Sequence, residues 1–347
     1  MRVETVVLNE KRDVTLTAYI QETGGDFRYI TRRPAIVVIP GGGYQFCSGR
    51  EADPVALPYL KAGYQAFILR YSVKENAAWP NPLDDYEQAM ELIKSRAEEW
   101  MLLKDRIAVI GFSAGGHLAA AAATMARNRP NAAILGYAVT GSDVKWCNPG
   151  APDTISAVDQ NTCPCFIFAT RTDNVVPVEN SIRFMNALAE AGISFESHIY
   201  AYGPHGFSTC DSSVQSIDTE ICARVPDWVE DSIGWLKDVL GDFGDGCMTE
   251  PICRVHVTGD YEEFLSVDCT IRFLMANPAA SALIGPVLKK ISAAPGISGT
   301  ENKMEETVYK MKLRDLMSYV SLPEEMTEEL NGELLKIANQ RSAVQTK

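Results

Sequence analysis

The sequence predicts an α/β protein, a mostly parallel sheet with helices on both faces, followed by a small, mainly helical C-terminal domain. Two observations lead to this. Between residues 35 and 240, short β-branched apolar runs alternate with helical segments, as they do when parallel strands are joined by crossover helices. After GDFGDG (241–246) the alternation stops, and short helices separated by proline and glycine take over. The glycine-rich stretch 241–250 therefore separates a first domain, residues 1–243, from a second, residues 250–347.

Taken in order, AIVVIP (35–40) reads as a buried strand that runs into a glycine cluster, and YQAFILRYSV (64–73) as a second. LDDYEQAMELIKSRAEEW (83–100) is helical: Leu83, Tyr86, Met90, Ile93, Ala97 and Trp100 fall on one stripe, and acidic residues fill its first turn. IAVI (107–110) is a strand leading into a helix of small residues, HLAAAAATMAR. AILGYAV (133–139) and CFIFAT (165–170) are further strands, and NSIRFMNALAEAGI is a helix stopped by Gly192. SFESHIYAY (194–202) alternates as a strand does, and DWVEDSIGWLKDVL (227–240) is an amphipathic helix. Beyond them, residues 250–264 read as a short strand or irregular segment, and helices are expected at 268–276, 279–290, 304–320 and 323–339. In the last of these Pro323 opens the helix, and Met326, Leu330, Leu334 and Ile337 form one apolar stripe.

With 46% hydrophobic residues the chain has ample material for a core. A net charge of −13 argues against non-specific binding to nucleic acid or to an anionic membrane. No run approaches the roughly 18 apolar residues that a bilayer-spanning helix needs. The nine cysteines are odd in number and their spacing suggests no disulfide framework; Cys163 and Cys165, C-x-C beside a proline, read as reduced thiols packed as small hydrophobes. With four histidines and no zinc-ligand spacing, neither a metal nor another cofactor is expected.

GFSAGG (111–116) stands between the strand IAVI and the small-residue helix. Glycines there could simply mark a turn with a capping serine. G-x-S-x-G between strand and helix is also the nucleophile elbow, in which a strained turn exposes a serine hydroxyl. Such a hydroxyl needs a base, a group to orient the base, and donors for the oxyanion. His205, in the loop YGPHGF between the last strand and the last helix, is the candidate base, since loops at the carboxyl ends of strands hold the sites of such folds. His117 lies inside the helix and suits packing, His198 sits in mid-strand, and His256 belongs to the appended region. Asp173 in TRTDNVVP directly follows the strand CFIFAT and is the candidate orienting carboxylate, although an Asx-turn would explain it too. Asp143 and Asp159 are rivals that do not directly follow a strand. GGGY (41–44), about 70 residues upstream of the elbow and at a strand end, supplies the donors: the amides of Gly42 and Gly43, acting with that of Ala114. Tyr44 and Gln45 are candidates for lining an acyl pocket, with scaffold packing the alternative. Trp79 and Trp146 are candidates for stacking on a sugar ring, or else core aromatics. The order Ser, Asp, His is that of the α/β-hydrolase fold.

PGGGY (40–44), GFSAGGHLAA (111–120), TDNVVP (172–177) and GPHGF (203–207) resemble the α/β-hydrolases known as acetyl xylan esterases and related carbohydrate esterases, over roughly residues 15 to 240. The resemblance implies Ser113 as nucleophile, His205 as base, Asp173 as its orienter, and metal-free removal of acetyl groups from xylan-derived or other acetylated oligosaccharides. The segment between GYAVTGSD and CPCFIFA is shorter than in many relatives, which implies a reduced cover over the site. ANPAASALIGPVL and LRDLMSYVSLPEEMTEELNGELLKI resemble a helical module that trails some carbohydrate-active enzymes. The opening residues MRVETVVLNEKRD lack an apolar export signal, so a cytoplasmic enzyme acting on short acetylated oligosaccharides is expected. A peptidase or amidase, an esterase for another acyl substrate, and a glycan-binding protein with an idle triad are the competing readings. Association of copies through the C-terminal module is left open.

Overall fold

Eight strands build one sheet in the order β1-β2-β4-β3-β5-β6-β7-β8 in the computed structural model, which describes residues 1–292 and 303–339. The strands are β1 (Arg2–Asn9), β2 (Val14–Ile20), β3 (Arg33–Ile39), β4 (Gln65–Arg70), β5 (Leu102–Phe112), β6 (Ala132–Gly136), β7 (Cys165–Thr170) and β8 (Phe195–Tyr200). β1 pairs antiparallel with β2 and β2 with β4, and every later pairing is parallel. The expected strands from residue 35 onward are present. The β1–β2 hairpin was not anticipated, although its second strand, VTLTAYI, alternates buried and half-buried residues at period two.

Helices cover both faces. α2 (Asn81–Ser95), α3 (Ser113–Met125) and α4 (Glu179–Glu190) share one buried cluster with the sheet, while α1 (Asp53–Lys61) and α5 (Trp228–Leu240) share the other. α1 was also missed. Its sequence, DPVALPYLK, carries one proline at the helix start, where proline is tolerated, and another inside, where it is unfavourable. In α3, eleven of the thirteen residues are buried, which only small side chains permit so close to a sheet. A Cβ placed on Gly111 of β5 would lie 2.7 Å from the Ala119 Cβ, so helix and strand touch almost backbone to backbone.

The chain divides into two compact units, Met1–Val255 and His256–Lys347. The division falls later than the glycine-rich stretch 241–250 suggested. The Ile252 and Cys253 amides donate to the Asp238 carbonyl of α5, and the Ser194 amide donates to the Val255 carbonyl, which binds these residues to the first unit. The second unit has its own core, with Leu265, Val267, Leu274, Ile284, Leu313, Met317 and Leu334 buried. It consists of α6 (Ile271–Ala276), α7 (Pro278–Ser292), α8 (Lys303–Lys310), α9 (Leu313–Tyr319) and α10 (Glu324–Leu334). The single helix expected at 304–320 is broken between α8 and α9. There the Met311 carbonyl accepts from the Ile271 amide and the Leu313 amide donates to the Cys269 carbonyl, a strand-like exchange that a continuous helix would forbid. Residues 250–264 take the irregular form of the two expected, with bends, a 3-10 turn at Gly259–Tyr261 and an isolated bridge at Phe264. All nine cysteines are free, and Cys163 and Cys165 are buried. Among the described residues no helix is long and apolar enough to cross a membrane.

Gly111 and Ala119 leave no room for a larger side chain between strand and helix. Ala119→Leu should lower unfolding free energy by about 1–3 kcal/mol through overpacking, measured by urea denaturation.

Candidate active site

Register brings the site together. β3 and β5 are neighbours, with Ile39 opposite Gly111, so the glycine loop after β3 and the elbow after β5 emerge side by side. β7 and β8 are also neighbours, with Thr170 opposite Tyr200, so the Asp173 loop and the His205 loop form a second pair. Thr170 and Thr172 clamp that pair by donating their hydroxyls to the Gly203 carbonyl at 2.8 and 3.2 Å.

Ser113 begins α3 with a φ of +52°, the left-handed region that costs a non-glycine residue about 1–3 kcal/mol. The packing around it holds this turn. A Cβ on Gly115 would lie 2.2 Å from the Pro40 carbonyl oxygen and 2.3 Å from that of Ile39, so no side chain fits where the elbow rests on the end of β3. The Ser113 Oγ lies 2.9 Å from His205 Nε2, and His205 Nδ1 lies 2.7 Å from Asp173 Oδ2. The other Asp173 oxygen accepts the amides of Val175 and Val176 at 2.8 and 2.9 Å. The Asx-turn and the histidine-orienting role are therefore the same residue, one carboxylate oxygen serving each. Because Asp173 only accepts when ionised, Nδ1 carries the imidazole proton and Nε2 is left as the acceptor facing the serine.

Gly42, Gly43 and Ala114 line the same cavity, of about 260 Å³, as Ser113 and His205. The amides of Gly42 and Gly43 donate to no partner among the described residues. That of Ala114 lies in the first turn of α3, where no intrahelical carbonyl can take it. Gly42 has a φ of +132° and a Cβ there would lie 2.1 Å from the Phe46 carbonyl oxygen, so the loop demands glycine at this position. An oxygen gaining negative charge beside Ser113 would face these amides and the positive end of α3.

Two expectations at this loop are corrected. Tyr44 is fully buried and turns away from the cavity, its hydroxyl 2.7 Å from His117 Nδ1, because its own φ of +60° sends the side chain inward. Gln45 is exposed and does not reach the cavity wall. Phe46 takes that place, and Trp146 lines the same cavity; both are more than half exposed. Trp79 packs against the His117 ring in place of lining the cavity. Trp146 and Cys147 enter from the short segment between β6 and β7, and Val175 and Val176 from the Asp173 loop.

The remaining candidates have structural partners. Asp143 accepts from the Asn180 amide group, and Asp159 forms an ion pair with Arg129 at 2.6 Å. His198 stacks on Phe166 and bonds Glu196, while His256 stacks on Tyr261 in the second unit. His117 donates from Nε2 to the Pro152 carbonyl, so Nδ1 accepts the Tyr44 hydroxyl. Glu51 was missed altogether. It is buried at the cavity wall, and burial pushes its carboxyl up, opposed by hydrogen bonds from Tyr137 and the Gly41 amide. Among the described residues no cluster of three or more His, Cys, Asp or Glu side chains is placed to hold a metal ion.

Known proteins bear on this geometry. Residues 29–145 match the BD-FAE family. An α/β hydrolase from a Medee basin deep-sea metagenome library is 43% identical, with a TM-score of 0.66 over 69% of this chain and 98% of that one. The acetylxylan esterase of Xylanibacter ruminicola is 33% identical over 196 residues, 50% of this chain and 41% of that protein. Endo-1,4-beta-xylanase B of Butyrivibrio fibrisolvens is 32% identical over 211 residues, 52% of this chain and 33% of that protein. The chain thus spans less than half the length of these last two relatives. Sheet order, elbow and the near-complete coverage of the metagenome enzyme agree: the chain belongs to the α/β-hydrolase family.

His117 makes the fold sensitive to acid. Burial lowers its pKa from 6.5 to about 4, so the unfolded chain binds a proton that the folded one refuses. The contribution is present above pH 6.5 and is lost as pH falls toward 4. Between pH 7.5 and 5 the loss should be about 2 kcal/mol. Urea unfolding at both pH values should show it, and His117→Gln should flatten the dependence by that amount.

Proposed function

We propose that the first unit is a serine carboxylic ester hydrolase acting on acetylated sugars, xylan-derived oligosaccharides among them. The observation that carries the reading is the unbroken chain Asp173–His205–Ser113, which opens into a small cavity walled by unpaired amides. Ser113 Oγ attacks the acetyl carbonyl while its proton passes to His205 Nε2. Gly42, Gly43 and Ala114 donate to the oxyanion; one such donor is worth about 3 kcal/mol of barrier. Collapse breaks the bond to the sugar oxygen, which leaves with the proton from His205. Water, deprotonated by His205, then attacks the acetyl-enzyme, and acetate departs as Ser113 recovers its proton. Asp173 holds Nδ1–H throughout.

The substrate class draws support from the cavity and from the relatives. Val139, Val175, Val176 and Cys147 give the cavity that holds Ser113 apolar walls suited to a short acyl group, while the exposed Phe46 and Trp146 offer ring faces. Apolar rings there suit the C–H faces of a sugar. The acetylxylan esterase relative points the same way.

Acetate release from acetylated xylo-oligosaccharides and hydrolysis of 4-nitrophenyl acetate test the reading together. Ser113→Ala should lower both by roughly a thousandfold or more. Trp146→Ala should raise KM for the oligosaccharide about three- to tenfold and leave the small ester unaffected. Turnover of the small ester alone would reassign the acyl substrate. Faster cleavage of amides would move the enzyme to the amidases, and glycan binding without turnover would mean that the triad is idle.

A further inference from the structure

Glu51 is a second carboxylate at the site, and the chain of Asp173, His205 and Ser113 does not use it. It is 4% exposed and forms part of the wall that Ser113 and His205 share. Its Oε2 accepts the Gly41 amide at 2.8 Å, and its Oε1 accepts the Tyr137 hydroxyl at 2.6 Å. The Tyr137 oxygen accepts in turn the Ser208 amide at 3.1 Å, and the Ser208 hydroxyl donates to the Arg50 carbonyl. The Tyr137 ring stands edge-on to His205, centroids 5.0 Å apart. Residues 50 and 51, the donor loop and the His205 loop are thereby joined into one hydrogen-bonded unit.

Hydrogen bonding alone does not explain the choice of a carboxylate. Burying one is costly unless an opposite charge compensates it. The cations that act on Glu51 are His205 and, less strongly, Arg50, whose guanidinium turns outward to Gln215. The remaining titratable neighbours are Tyr137 and Tyr71, which burial pushes far above neutrality, and Asp173, bonded to the Nδ1 of His205. Where Glu51 is ionised, the field at His205 is therefore set by two carboxylates, with Arg50 turned away. In the reaction the imidazole becomes a cation when it takes the proton of Ser113, and at that moment Glu51 gains its partner.

We propose that Glu51 is a positioning residue for the imidazolium: its charge, with that of Asp173, holds the cation that forms at His205, and its hydrogen bonds fix the donor loop and the His205 loop. No bond changes at Glu51; the proton travels from Ser113 to His205 and on to the departing alkoxide. The catalytic consequence rests on the ester-hydrolase reading, whereas the charge coupling does not.

The test compares wild type with Glu51→Gln, which keeps size and one acceptor but loses the charge, and with Glu51→Asp, which keeps the charge. The His205 pKa is read by NMR of the ring nitrogens, assigned with His205→Ala, beside the pH profile of kcat/KM on 4-nitrophenyl acetate. In Glu51→Gln the His205 pKa and the acid limb should both fall by about 0.5–1 unit, since an anion nearby favours the charged ring. In the same variant kcat should fall about tenfold or more, with KM within about twofold, while Glu51→Asp should keep the pKa. An unchanged His205 pKa in folded Glu51→Gln protein would overturn the proposal, as would a rate loss that merely follows the loss of folded protein. If wild type cleaves no ester, the ester reading falls, and the NMR titration still decides the coupling.

Discussion

The elbow rests on the end of β3, and the chemistry of the site follows from that contact. Gly115 meets the carbonyl oxygens of Ile39 and Pro40 at distances that exclude any side chain. This close approach keeps Ser113 in its left-handed turn and sets the first amides of α3 beside the glycine loop that leaves β3. A helix built of alanines is the cost of such proximity, because larger side chains would lift α3 off the sheet. Ser113 and the amides of the glycine loop are thus fixed by one packing contact between neighbouring strands.

Around that contact the polar groups are arranged so that most have a defined partner. Asp173 divides its two oxygens between a turn and the imidazole, which leaves it little freedom to rotate. Tyr44 and His117 tie the donor loop to α3 from below, and Glu51 and Tyr137 tie it to the His205 loop from the side. Buried polar networks of this kind stabilise when every member is satisfied and destabilise when one is removed. The small cavity is therefore walled by groups whose positions are set by their partners as much as by packing.

Much of this was legible in the residues. Ser113 sits in a motif whose flanks match its structural requirement, and Asp173 and His205 each follow a recognisable strand. Their convergence needed only the rule that parallel strands present their carboxyl ends on one edge. Tyr44 takes the packing alternative and Gln45 stays outside the cavity, because proximity in sequence to the glycine loop says nothing about direction after a turn of positive φ, and the neighbour Phe46 lines the cavity instead. Glu51 gave no signal, since its partner Tyr137 is 86 residues away and only the folded sheet brings the two together. The break between α8 and α9 was hidden for a similar reason, being imposed by backbone pairing with residues 269–271.

The groups gathered at the cavity come from four different strand ends, those of β3, β5, β7 and β8. Each strand end contributes one part, and no two adjoining strands hold all of them. The arrangement of Ser113, His205 and Asp173 therefore cannot form until β8 has docked beside β7 and brought His205 with it. The intact site is thus a mark of a completed sheet, since a partly assembled one lacks His205 beside Ser113.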